Sequence, residues 1–171
     1  MRKRLSLRIL LRLCLSINNQ GMGNGLGEEA GFDNTNNEND HITCFDDLWV
    51  YRDSYEASIN IFTEILPKLP IEEKYDLKDQ MRRACKAVPR LIAEGYAKRH
   101  QKAGFQKYLD DANAESNEMI VCLRHCKDLY PDLINVEICE KLIKIYDRCS
   151  RGIFNLSMTW MDFSKIPKNE K

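Results

Sequence analysis

The sequence predicts an all-α fold, an antiparallel up-down-up-down four-helix bundle with a disordered N-terminal tail. Three observations predict it. From Phe45 to Phe163 apolar residues recur at three- and four-residue steps, the repeat of one helix side. The stretch divides into four runs of about 20 to 29 residues, joined by links of about three to eight residues that carry Pro or Gly. No run alternates apolar and polar residues as a strand does, and no segment repeats at a fixed period. A chain of 171 residues holds one such domain and a tail. The expected division is an N-terminal extension over residues 1–42, the bundle over 43–165 and a C-terminal tail over 166–171.

The chain opens Met-Arg-Lys-Arg and continues through leucines to Ile17. A basic start before leucines has the look of a secretory signal. Arg8 and Arg12 interrupt the apolar run, however, and no Ala-x-Ala-like cleavage site follows. The run is also too short and too charged to span a membrane. It reads as an extension of the domain, with a membrane-surface helix as the competing reading. Residues 18–40 are rich in Asn, Gly, Glu and Asp, with Phe32 the only aromatic. That leaves too little apolar surface to offset the entropy of ordering, so disorder is expected.

The first helix carries Leu48, Tyr51, Tyr55, Ile59, Phe62 and Leu66 as its apolar face, and Pro67 and Pro70 end it. The second starts near Ile71 or Tyr75, with Glu72 and Glu73 favouring the helix dipole, and runs to about Arg99. Its apolar face is Leu77, Met81, Ala84, Cys85, Val88, Leu91, Ile92 and Gly95. Pro89 predicts a kink between Cys85 and Pro89, because proline lacks the donor for the carbonyl four residues back. Gly104 predicts a turn. The third helix carries Phe105, Tyr108, Leu109, Ala112, Ser116, Met119, Ile120, Leu123, Cys126 and Leu129, and Pro131 stops it. The fourth carries Ile138, Leu142, Ile145, Tyr146, Cys149, Ile153, Leu156, Trp160 and Phe163.

Charge is balanced in total, with 26 basic and 26 acidic residues, but segregated along the chain. Residues 68–107 hold 11 basic and 5 acidic side chains, and residues 108–140 hold 2 basic and 8 acidic. Alternating blocks of this kind steer association, or simply form solvated outer faces. Seven cysteines, most of them within apolar stripes, point to small core hydrophobes in a reducing cytosol rather than to disulfides.

The second helix reads Met81-Arg82-Arg83-Ala84-Cys85-Lys86-Ala87-Val88-Pro89-Arg90-Leu91-Ile92-Ala93-Glu94-Gly95. It resembles the central motif of a four-helix bundle family named after the 23S rRNA intervening-sequence protein. That family also takes in the accessory variability protein of diversity-generating retroelements. Phe105, Tyr108, Leu109, Ala112 and Glu118 resemble the family's third-helix pattern. The family's Ser and Asn on the second helix are Ala87 and Leu91 here, and its Gly-Ser on the third is Ala114-Glu115, so the chain resembles a divergent member. The resemblance implies a homo-oligomer, a pentameric ring, and in the retroelement branch contact with RNA and a reverse transcriptase.

Lys78, Arg82, Lys86 and Arg90 recur at steps of four opposite the apolar face, and Lys98 and Arg99 extend the line. These six are the candidate nucleic-acid-binding residues, suited to phosphates and blind to sequence. The competing readings are a solvated face and pairing with Asp110, Asp111 or Glu115, within the bundle or across a subunit contact. Arg83, Glu94 and Glu118 form a candidate structural ion network that would fix helix register. Cys122-Leu-Arg-His125-Cys126 has metal-ligand residue types. A zinc site needs about four ligands, though, and no second pair occurs at suitable spacing, so core cysteines are expected and no metal. No phosphate loop, His-Glu-x-x-His or nucleophile elbow is present. Taken with the family resemblance, which alone implies the oligomer and the reverse transcriptase, the expected role is a cytoplasmic, cofactor-free, non-enzymatic oligomeric accessory protein that presents a basic helix face to RNA, to a reverse transcriptase, or to both. The alternative is a structural or protein-docking ring with no nucleic-acid role.

Overall fold

The structure, a computed structural model, describes residues 42–163. The expectations for residues 1–41, a disordered extension with a leucine-rich start, and for the C-terminal tail lie outside the described residues. Within them the fold is helical, with four α-helices and no strand. Helix α1 (Trp49–Asn60) runs on into a single π turn, Ile61–Ile65. Helices α2 (Leu77–Ala97), α3 (Lys102–Leu129) and α4 (Val136–Phe163) follow, with 3-10 turns at Phe45–Asp47 and Ile71–Tyr75.

Each helix packs on the next, and α4 closes back on α1. The contacts pair ascending residues of one helix with descending residues of its neighbour. Between α2 and α3, Cys126 Sγ lies 3.4 Å from Met81 Sδ at one end, and Gly95 meets Phe105, Tyr108 and Leu109 at the other. Between α3 and α4, Gln106 donates to Ser157, Ser116 Oγ donates to the Tyr146 carbonyl at 3.0 Å, and Lys127 faces Glu140. Between α4 and α1, Cys149 meets the Val50 carbonyl and Arg148 pairs with Asp53. These pairs run in opposite directions.

Ile61, Ile65, Met81, Val88, Ile92, Leu109, Met119, Leu123, Tyr146 and Ile153 fill the centre. Full burial of such an aliphatic side chain stabilises by about 1.5–3 kcal/mol. The expected faces of the last three helices are buried in the main, with Leu129 exposed. Asn135 caps α4: its Oδ1 accepts from the Glu137 and Ile138 N–H groups at 2.9 and 3.3 Å.

The first helix departs from expectation. Leu48 and Leu66 are buried, but Tyr55, Ile59 and Phe62 are 53%, 48% and 36% exposed. The side turned inward is Val50, Ser54, Ala57, Ser58, Ile61 and Ile65. Two of these are serines that satisfy their hydroxyls locally, Ser54 on the Tyr51 carbonyl and Ser58 on the Tyr55 carbonyl. Small residues let α1 approach its neighbours closely, which a face of tyrosines would not.

One boundary also moves. Gly104 makes no turn; it lies in the first turn of α3, which already begins at Lys102. Helix α2 continues in α conformation through the buried Pro89, although a proline in a helix interior costs about 3 kcal/mol.

Candidate nucleic-acid interface

Steps of four residues advance 40° beyond a full turn of an α-helix. The line Lys78, Arg82, Lys86, Arg90 therefore drifts about 120° around α2. It crosses the outer face obliquely, from the α1 side toward the α3 side. Lys86 Nζ lies 5.6 Å from the centroid of the Phe62 ring on α1. At the other margin, the charges of Arg90 and Arg83 act on Glu115 of α3. The Glu115 carboxyl is raised from its ordinary value, chiefly by burial and then by Glu118, and the two arginines oppose that rise.

Arg82, Lys86 and Arg90 are exposed and Lys78 is half-buried. Arg90 pairs with Glu94 at 2.9 Å. Among the described residues, Lys78, Arg82 and Lys86 have no carboxylate within ion-pair distance. An exposed i,i+4 pair is worth about 0.3–0.5 kcal/mol, so Arg90 is readily diverted to a stronger anion.

Lys98 and Arg99 lie just past α2, each held by a tyrosine. Lys98 Nζ donates to the Tyr108 hydroxyl at 3.0 Å and lies 4.8 Å from that ring's centroid. This hydrogen bond holds the ammonium pKa above its ordinary value. Arg99 stacks on Tyr96 at 4.1 Å and donates to the Tyr96 carbonyl. The basic line thus ends in two positioned cations, a detail given by Tyr96 and Tyr108 and absent from the charge pattern.

The expected network of Arg83, Glu94 and Glu118 is not assembled. Arg83 pairs with Asp79 one turn back, at 3.2 Å, and Glu94 pairs with Arg90. Glu118 is exposed. Arg83 and Glu94 each find a partner on α2 itself, where i,i+4 neighbours meet at the helix surface. Of the acidic residues of α3, Asp111 takes Lys107 and Asp110 accepts from Gln106. Cys122 and Cys126 are buried, facing Gln80 and Met81, while His125 is exposed.

With this geometry in place, comparison with known proteins gives one match. The sequence pattern of the 23S rRNA-intervening sequence protein family covers residues 46–155, more than half of the chain. The chain belongs to that family. No curated protein matches it, and no solved structure does. In this family member the matched region begins just before α1 and ends within α4, so it contains the whole α2 face. Among the described residues no helix is long and apolar enough to cross a membrane.

Proposed function

We propose that this member of the 23S rRNA-intervening sequence protein family is a non-enzymatic, cytoplasmic accessory protein that self-associates and holds RNA through the outer face of α2. The carrying observation is that Lys78, Arg82 and Lys86 stand on one face with no carboxylate of their own, among the described residues of a chain whose charges balance. Three cations rising about 6 Å apart along a helix suit a polyanion. The family's description names an intervening sequence of 23S rRNA, which makes a structured ribosomal RNA segment the first ligand to try. A reverse transcriptase carrying its RNA is the other partner the sequence resemblance implies.

Filter binding of structured RNA to the full chain at two salt concentrations tests this. Three phosphate contacts give log K a slope of about −2 to −3 against log salt. Arg82→Glu with Lys86→Glu should abolish retention and leave helicity unchanged. Retention by the double variant, or none by wild type at low salt, refutes the assignment.

A second reading, a docking ring without RNA, is favoured by the exposed Phe154 and Met158, one turn apart on α4. Self-association serves both readings, with five copies as the sequence resemblance implies. Native mass spectrometry measures the number, and a monomer at micromolar concentration removes the ring from both.

A further inference from the structure

We infer that the RNA held by α2 is single-stranded where it crosses α1, with its unpaired bases stacking on Phe62 and Tyr55. This rests on the reading of the α2 face as a phosphate site and names what that site selects.

Phe62 is the second residue of the π turn, whose Leu66 N–H donates to the Ile61 carbonyl at 2.9 Å. One extra residue in the turn changes which side chain faces outward, and π turns of this kind gather at functional sites. Here the turn leaves Phe62 partly exposed beside Lys86, one of the unpaired cations of the α2 line. Ile59 and Tyr55 continue the same side of α1, both exposed. Tyr55 is buttressed from below: its ring lies nearly parallel to Tyr51, centroids 6.0 Å apart, and Phe45 meets Tyr51 edge-on at 4.8 Å. A ring held on one side and open on the other is a platform.

Two of the carboxylates nearby are engaged elsewhere, and the exposed Glu56 of α1 lies within ion-pair distance of no cation among the described residues. Asp53 pairs with Arg148 on the α4 side, and Glu64 with Lys68. The surface thus sets a cation beside a flat apolar face at Lys86 and Phe62, and among the described residues no carboxylate lies within ion-pair distance of Lys78, Arg82 or Lys86. A partner that matches must carry an anion and an exposed π face at short repeat, which is the chemistry of an unpaired nucleotide. A duplex fits poorly, because its bases are stacked on one another and closed to protein rings.

Fluorescence anisotropy on the full chain tests this with two probes, an oligouridine of about a dozen nucleotides and an RNA duplex of similar length. Phe62→Leu keeps apolar volume and removes the ring, Tyr55→Leu repeats the test at a more exposed position, and circular dichroism checks helicity. The inference expects tighter binding of the single strand than of the duplex at low salt. It expects each variant to lose about tenfold in single-strand affinity with an unchanged salt slope. If both variants bind as wild type while Arg82→Glu with Lys86→Glu does not, the stacking inference falls and the phosphate reading stands. If no RNA binds at low salt, both fall. If Phe62→Leu lowers the assembled mass and leaves RNA affinity unchanged, the stripe is a subunit contact and the inference is overturned.

Discussion

Replacing Gly152 with Ala adds one methyl group where α4 crosses the start of α1. A Cβ at this position would lie 2.6 Å from Trp49 Cη2 and 2.7 Å from Val50 Cγ1. Carbon atoms pack best at about 3.5–4.0 Å, so the new methyl overlaps two side chains by about an ångström. The Trp49 ring has limited room to give, because Arg148 stands 5.5 Å over it and also pairs with Asp53. Val50 is 3% exposed and belongs to the core. Overpacking of this kind costs about 1–3 kcal/mol, and the better helix propensity of alanine returns about 0.8–1 kcal/mol. With contacts under 3 Å on two side chains the cost lies in the upper part of that range, so the balance is a destabilisation of about 1–2 kcal/mol, or a fall in Tm of about 2–8 °C for a chain of this size. Gly104→Ala is the internal control. Its added Cβ meets nothing closer than Gln101 Oε1 at 3.5 Å, an ordinary contact, so only the propensity gain remains and Tm should hold or rise. Thermal circular dichroism of both variants in one buffer decides the matter. A Gly152→Ala protein as stable as wild type would mean that α1 does not seat against α4 as described. The positions of Tyr55 and Phe62 would then be in question too.

Two further outcomes follow from titrating groups. Asp47 Oδ2 accepts from the Cys44 N–H at 3.0 Å and from the Thr43 N–H and hydroxyl at 2.7 and 2.9 Å, which lowers its carboxyl from 3.8 to about 2. A depressed carboxylate stabilises the fold above its unfolded pKa, and that contribution disappears as pH falls through about 2. Carboxyl NMR should find Asp47 titrating near 2, and Thr43→Val should move it upward; a midpoint near 4 in wild type would show the turn at Phe45–Asp47 to be open in solution. The second outcome concerns thiols. Burial pushes Cys85 up to about 11 and Cys126 and Cys149 up to about 12, so none supplies thiolate at pH 8. Iodoacetamide with peptide mass readout should label the half-buried Cys44 in the native protein and these three only in denaturant. Native labelling of Cys149 would contradict the closure of α4 on α1.

The sequence discloses α2, α3 and α4 well because their core faces are their most apolar faces. Met81, Val88 and Ile92 are buried where the three- and four-residue steps put them, and so are Leu109, Leu123, Cys149 and Ile153. Helix α1 misleads for the opposite reason. Tyr55, Ile59 and Phe62 face outward, and the middle of the inner face is Ser54, Ala57 and Ser58. Hydrophobicity ranks serine low, yet a serine whose hydroxyl returns to the carbonyl three residues back presents little but a methylene to its neighbour. The close contact that such small residues permit is repeated at Gly152, which has no periodicity of its own to announce it. The six candidate cations were legible because charge at steps of four is a one-dimensional pattern. Their pairing was not legible, since the choice of Arg83 for Asp79 and of Arg90 for Glu94, over Glu118 on another helix, turns on proximity along α2. The juxtaposition of Lys86 with Phe62 combines both failures. It needs the rotated face of α1, the π turn and the oblique drift of the α2 line together, and none of these is a property of either helix read alone. If α1 instead hid its aromatics, the cations of α2 would border a polar helix, and the surface would offer phosphates a charge and bases nothing.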